Sequence, residues 1–320
     1  LKAMLLGIIS AFFFAFTFFF NRIMEDDGGS WMFSASLRFL FMVPFLMLIV
    51  YYRTGFSTLW RALRKNPLSW FVWSFVGFGL FYAPLTFAAG YAPGWLVAGT
   101  FQLTIVAGLL LSPLFWTEGS SGGRIRQSIP LRSLFSSGII LLGVVFIQVQ
   151  HASAVSVSLV LSVVPVLIAA VSYPLGNRKM MELTNGTIDT FSRVLGMTLM
   201  TTPIWILLFA LGTLQHGLPA ASQVGQSFLV AICSGIIATL LFFTATDLSR
   251  KDPNQLAAVE ATQSGEVIFA LLLELIFLNA LFPSPMAVLG ILFIVGGMIL
   301  HSFLSKEKKS VGVNNKNNTI

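Results

Sequence analysis

The run AMLLGIISAFFFAFTFFF, Ala3–Phe20, carries no charged residue. About 20 consecutive apolar residues are needed for a helix to cross the hydrocarbon of a bilayer. No small-residue cleavage site follows this run, so it reads as a span and not as a cleavable signal. Runs of the same kind recur along the chain, at roughly 3–24, 31–52, 68–90, 93–116, 133–150, 154–176, 192–214, 222–247, 254–279 and 284–304. Lipid offers no partners to backbone N–H and C=O groups, so continuous runs of this length are expected as helices. A membrane β-barrel would instead show short alternating segments.

Composition agrees. Of 320 residues, 56% are hydrophobic and 10% are charged, whereas soluble domains carry about 25% charged residues. The net charge of +7 does not mark a nucleic-acid protein, because the basic residues are scattered among short loops between spans. A single cysteine, Cys233, excludes an intrachain disulfide and a cysteine metal site. The three histidines, His151, His216 and His301, have no ligand spacing, so neither metal nor cofactor is expected.

The basic residues suggest an orientation. With the N-terminus in the cytoplasm, Lys2, Arg53, Arg61, Arg64, Lys65, Arg124, Arg126, Arg132, Arg178, Lys179, Arg193, Arg250, Lys251 and the lysines after Ser305 all fall inside. The opposite loops are nearly free of Lys and Arg, and the first carries Glu25, Asp26 and Asp27, which is a positive-inside pattern. Residues 306–320 are polar and read as a disordered cytoplasmic tail.

The halves 1–151 and 152–305 look alike. Asn21-Arg22 closes the first span and Asn177-Arg178 the sixth. Arg38 lies early in the second span, and Arg193 opens the seventh. Leu80-Phe81-Tyr82 aligns with Leu241-Phe242-Phe243, Gln102 with Gln263, and Gly138-Ile139 with Gly290-Ile291. A unit of five spans must enter the membrane in the opposite sense the second time. The expected fold is therefore an all-α integral membrane protein of ten transmembrane helices in two inverted-topology five-helix repeats, an architecture of secondary transporters.

The pattern Gln255-Leu256-Ala257-Ala258-Val259-Glu260-Ala261-Thr262-Gln263-Ser264-Gly265-Glu266-Val267-Ile268-Phe269, with Gly99-Thr100-Phe101-Gln102-Leu103-Thr104-Ile105-Val106 in the first half, is similar to the multidrug resistance efflux branch of the drug/metabolite transporter superfamily. The ten-helix arrangement resembles its EamA-like members. The resemblance covers the chain apart from the tail. It implies a monomeric secondary carrier with a central cavity, working as an exporter in a bacterial cytoplasmic membrane.

Intramembrane charges are costly and so are candidate site residues. The ninth span holds Glu260, Glu266 and Glu274; at 100° per residue Glu260, Gln263, Ser264 and Glu274 share a face, with Glu266 on its flank. Glu266 is nearest mid-membrane, where burial penalises the charged form and suits a carboxylate to exchanging protons near neutral pH. Proton and a cationic or amino-acid-like substrate would then compete for one site. The plainer reading of Glu266 and Glu260 is an interhelical hydrogen bond or ion pair. Gln102, Thr104 and Tyr82 either orient substrate or join helices. Arg38 lies ~10 Å below the outer surface, counted from Trp31. Glu274 is expected to pair with Arg38 or Arg22 as an outer gate, the alternative for Arg38 being to snorkel or to meet the acidic first loop. Gly290 and Gly297 suit a close helix contact.

The reading that follows is proton-coupled efflux by a carrier in the lipid bilayer, working on a small molecule and protons with no nucleic acid. A uniporter, exchanger or uptake carrier is the alternative within the class, and a channel or scaffold lies beyond it. An intramembrane lipid-modifying enzyme is the reading from another class, but Glu25-Asp26-Asp27 has no partner cluster of acids or histidines. No G-x-x-x-x-G-K-[ST] loop is present for ATP.

Overall fold

A computed structural model describes residues 1–118, 124–127, 129, 131–151 and 157–306. The chain is nearly all helical. Helices α1 (Lys2–Asp26) and α2 (Trp31–Arg53) form the first pair, with Ser30 Oγ accepting from Met32 N–H at the start of α2. The short α3 (Ser57–Lys65) was not expected from the hydrophobic runs. It buries Leu59 and Leu63 and exposes Trp60, Arg61 and Arg64, the pattern of a helix lying at a membrane interface.

Next, α4 (Pro67–Ser74) and α5 (Leu80–Ala88) are joined through a π-helical turn, Phe75–Gly79. Then α6 (Gly94–Phe101) and α7 (Leu103–Leu110) are separated at Gln102. The expected span to residue 116 stops short: after Leu110 come a 3-10 turn, Ser112–Leu114, and an antiparallel hairpin of β1 (Trp116–Glu118) and β2 (Arg124–Arg126). Pro113 cannot donate to the preceding turn, which ends the helix there.

The chain continues through α8 (Leu131–His151), α9 (Val157–Thr184) and α10 (Thr190–His216). In α11 (Ala221–Val230) and α12 (Thr239–Ser249) a second π segment, Ala231–Ala238, lies between the two parts. The next run is divided into α13 (Pro253–Ala261), a 3-10 turn Thr262–Ser264, and α14 (Gly265–Phe277), before α15 (Pro285–Lys306). Among the described residues, six helices are long and apolar enough to cross a membrane: Lys2–Asp26, Trp31–Arg53, Pro67–Ala88, Val157–Thr184, Thr190–His216 and Ala221–Ser249. Gly94–Leu110, Leu134–Val149 and Pro285–Leu300 are shorter apolar helices.

α9 ends later than hydropathy alone suggests. It runs to Thr184 and stops where Asn185 (φ 42°) and Gly186 (φ 72°) turn left-handed, a C-terminal signal that Asn-Gly supplies with little strain. Arg178 and Lys179, which follow the apolar run that ends near residue 176, therefore lie inside the helix, in its last two turns.

Packing pairs α2 with α10 and α8 with α15. α1 lies against α12, the second π segment and α14; α9 lies against α5 and α7; α14 meets α6. Gly143 and Gly290 let α8 and α15 touch through backbone, since a Cβ on Gly290 would sit 2.7 Å from Gly143 O, and Gly297 abuts Ile140. By contrast, Gly138 faces open space. The periphery carries exposed Leu48, Leu142, Leu207, Phe282 and Leu292, while Arg38, Arg178, Glu260 and Glu266 are buried. Apolar outside and charged inside is the arrangement a bilayer selects.

Candidate functional site

The breaks in regular helix lie around the centre of the bundle. The first turn of α14 follows the 3-10 turn at Thr262–Ser264 and carries Glu266 inward. Glu266 is 2% exposed. It lines a small cavity of about 10 Å³, room for about one water, with Phe14, Thr17, Phe18, Phe81, Leu85, Phe101 and Tyr173. Five of these seven side chains are aromatic, and Thr17 and Tyr173 supply the only other polar groups. Glu266 Oε2 and the Tyr173 hydroxyl are both buried without a hydrogen-bond partner. Unpartnered buried polar atoms are rare and costly, which marks this spot for a ligand or a proton. The Tyr173 ring lies 4.5 Å from that of Phe81 and stacks on Phe242 at 5.5 Å.

Next to this cavity, Thr17 Oγ1 is hydrogen-bonded to Ser234 Oγ in the second π segment. Arg38 Nη2 donates to the same Ser234 at 3.0 Å. The Arg38 guanidinium lies 3.9 Å from the centre of the Tyr82 ring, and Tyr82 Oη is within reach of Asn21 Nδ2 at 3.4 Å. Phe39 stacks on Trp205 at 4.4 Å beneath them. Thr17 thus connects the Glu266 cavity to the Arg38 neighbourhood.

The three glutamates of one apolar run have three different surroundings. Glu260 forms a buried ion pair with Arg178: Arg178 Nε donates to Glu260 Oε1 at 2.9 Å, and Nη2 meets Oε2. Arg178 Nη1 also donates to Gly108 O at 2.7 Å. Glu260, expected either as a proton or substrate ligand or as half of an interhelical ion pair, has both oxygens held by a guanidinium. Glu274 does not pair with Arg38 or Arg22. Its Oε1 accepts from Trp95 N–H at 3.1 Å, at the start of α6, while Arg22 pairs with Asp26 and donates to Ala89 O. The expected Glu274–arginine gate is therefore replaced by a carboxylate on a helix N-terminus, where exposed N–H groups and the helix dipole favour negative charge. The single helical face drawn through Glu260, Gln263, Ser264 and Glu274 is cut by the 3-10 turn, which rotates α14 relative to α13.

A measurement follows for Glu274. Glu274→Ala removes the acceptor and leaves Trp95 N–H buried, and is expected to cost about 0.5–2 kcal/mol. Glu274→Gln keeps a carbonyl oxygen and should recover most of it. Thermal unfolding of the purified variants in one detergent compares them, and equal midpoints for Ala and wild type would exclude the capping role.

Gln102 and Gln263 occupy the two breaks. Gln102 Nε2 donates to Ala98 O at 3.0 Å and Gln263 Nε2 to Gly7 O at 3.2 Å. In each the Oε1 is buried without a partner. Thr104 is buried on α7. Among the described residues no group of three or more His, Cys, Asp or Glu is placed to hold a metal ion.

Arg178, Tyr173, Thr17 and Ser234 were missed as site residues by hydropathy reading. Asn185-Gly186 could have revealed that α9 extends past Arg178. The other three had no sequence signal, since Thr, Ser and Tyr are common in membrane helices. A further ion pair between helices links Arg193 on α10 to Asp247 on α12, Nη1 to Oδ1 at 2.6 Å.

The family model "EmrE: Putative multidrug resistance efflux transporter" matches residues 1–307. The chain belongs to this family. It is a transporter family, and with the apolar helices this makes the chain a multi-pass membrane protein of the drug/metabolite transporter superfamily. A relative in Bacillus subtilis (strain 168), "Uncharacterized protein YjlA", is 58% identical over 97% of this chain and 97% of its own length. Another, from Shouchella clausii, "Uncharacterized 42.1 kDa protein in intracellular alkaline protease 3'region", is 71% identical over 83% of this chain and 70% of its own. A solved structure, "Crystal structure of protein", superposes with a TM-score of 0.66 at 15% identity, covering 95% of this chain and 98% of that one. That likeness speaks to the fold alone.

Proposed function

We propose that the protein is a secondary carrier that exports small cationic, amphipathic or amino-acid-like compounds across a bacterial cytoplasmic membrane in exchange for protons. Glu266 is the shared proton and substrate site in this reading. The observation that carries it is Glu266 Oε2, buried and unpartnered in an aromatic-lined cavity. A charged carboxylate in such surroundings is penalised unless a cation or a proton meets it. Proton and substrate ammonium therefore exclude one another, and that exclusion is the coupling.

The same reading takes the chain as ten spans in two inverted repeats, 1–151 and 152–305, with both ends cytoplasmic. Irregular features recur in matching places, which supports it. The π turns Phe75–Gly79 and Ala231–Ala238 lie in the third and eighth runs, and the breaks at Gln102 and Thr262–Ser264 in the fourth and ninth. Asn21 contacts Tyr82 of α5, and Asn177 contacts Thr246 of α12. The contact of α1 with α12 corresponds to that of α9 with α5. Two such halves rocking about a central site expose it to each side in turn. The boundary between the halves falls at 152–156, outside the described residues, as does the tail 307–320.

The test is a pH-gradient assay in proteoliposomes, with candidate cations and amino acids added while internal pH is followed. Wild type should move protons only with substrate, and Glu266→Gln should abolish that movement and weaken binding of labelled substrate. Proton movement that persists in Glu266→Gln would remove Glu266 from the coupling role. Substrate crossing without proton movement in wild type would make the protein a uniporter or exchanger.

A further inference from the structure

Three stretches of the bundle run from the Glu266 cavity toward the face that bears Arg250 and Lys251. Each places one residue on the cavity and one further along. On α9 these are Tyr173 and Arg178, on α14 and α13 Glu266 and Glu260, and on α6 and α7 Phe101 and Gly108. Counted along each helix, Arg178, Glu260 and Gly108 lie about 7–11 Å beyond the cavity. There the three meet. Arg178 Nε and Nη2 hold the Glu260 carboxylate, and Nη1 donates to Gly108 O at 2.7 Å. The fit to α7 is close, since a Cβ on Gly108 would lie 2.8 Å from Glu260 Oε2.

Beyond this joint is a second cavity, of about 430 Å³, lined by Arg178 itself with Phe115, Trp116, Arg250 and Lys251. The joint thus stands between a wide outer cavity and a central one that holds about one water. The Arg193–Asp247 pair, by contrast, is in the lining of neither. Two of the three stretches are also broken between their two residues. Gln102 separates α6 from α7, and the 3-10 turn Thr262–Ser264 separates α13 from α14. Breaks of this kind mark hinges, because they interrupt the ladder that keeps a helix in one piece. Arg22, the counterpart of Arg178 in the first half, pairs with Asp26 on its own helix and so ties no two helices by charge.

We propose that Arg178, Glu260 and the Gly108 carbonyl form a gate that closes the central cavity toward the face bearing Arg250 and Lys251. α7 and α13 swing on the breaks at Gln102 and Thr262–Ser264 to open it. A buried ion pair suits this role, because water entering on opening solvates both charges and lowers the cost of parting them. The gate rests on the carrier reading above and adds which residues part; it does not depend on proton coupling.

The test measures access to the central cavity with a membrane-impermeant, trimethylammonium-bearing methanethiosulfonate. Its target is Thr17→Cys, on the cavity wall, in a Cys233→Ala background. Sealed vesicles of each orientation are used, with neither substrate nor gradient. A separate Lys251→Cys protein, exposed on the gated face, fixes the orientation. Adding Glu260→Gln, which keeps the side-chain shape and removes the charge, should speed modification from the Arg250 face about ten-fold and not speed it from the opposite face. Arg178→Lys keeps the charge and loses the fork, so it should give a smaller rise on the same face; it decides the matter if Glu260→Gln does not fold. Unchanged rates from the Arg250 face would make the pair a permanent joint and overturn the gate. So would equal acceleration from both faces, which is general loosening, or a thiol that neither face reaches in any variant. No proton flux enters the measurement, so failure of the gate leaves the coupling role of Glu266 standing, and the reverse holds as well.

Discussion

Replacing Arg178 with Gln is expected to lower stability by about 3–5 kcal/mol, as breaking one side of a buried ion pair does. The side chains of Arg178 and Glu260 are 5% and 7% exposed. Removing the guanidinium strands the Glu260 carboxylate and leaves Gly108 O without its donor, so three elements, α9, α13 and α7, lose their common joint. The double variant Arg178→Met with Glu260→Leu removes both charges together and should recover much of the loss, since well-packed apolar replacements of buried pairs are often neutral. Thermal unfolding in detergent, with size-exclusion chromatography to confirm monodisperse protein, measures all three. A single variant as stable as wild type would show that the pair adds nothing in the folded state.

A methyl group at Gly176 is the second large effect. On α9, a Cβ at Gly176 would overlap the backbone of Gly77 and lie 3.1 Å from Trp73 O. Backbone cannot rotate away as a side chain can, so α9 must separate from the π turn. Gly176→Ala is expected to cost about 3 kcal/mol, at the upper end for overpacking. The reverse change is milder. A Cβ at Gly77 would meet Gly176 Cα at 3.2 Å and Met197 Cε at 3.1 Å, and Met can give way, so Gly77→Ala should cost about 1 kcal/mol. Equal losses for the two would refute the close approach. Because Tyr173 is less than one helical turn from Gly176, the shift in α9 should also disturb the wall opposite Glu266 and slow transport beyond the loss in folded protein.

The two predictions bear on what was legible beforehand. The helices of Lys2–Asp26, Trp31–Arg53, Thr190–His216 and Ala221–Ser249 follow the apolar runs within a few residues, because hydrocarbon permits few other conformations. Glu266 was legible as a candidate for the same reason: a carboxylate in the middle of an apolar run has to be accommodated. The π turns at Phe75–Gly79 and Ala231–Ala238 were not, since their residues are ordinary helix formers in lipid and the irregularity comes from packing. The pairing of Glu274 was misread because a carboxylate near two arginines invites an ion pair, whereas the start of α6 offers bare N–H groups closer by.

The sequence by itself determined that this chain is a multi-pass membrane protein, where most of its apolar helices lie, and which family it resembles. Those properties depend on local composition and on period, which survive without tertiary contacts. Only the tertiary structure decided which of three glutamates is neutralised by arginine, which caps a helix and which stays unpartnered. The partners are 82 residues away for Glu260 and 179 for Glu274. Over such separations no spacing rule applies, and the low dielectric of the interior makes the choice of partner decisive.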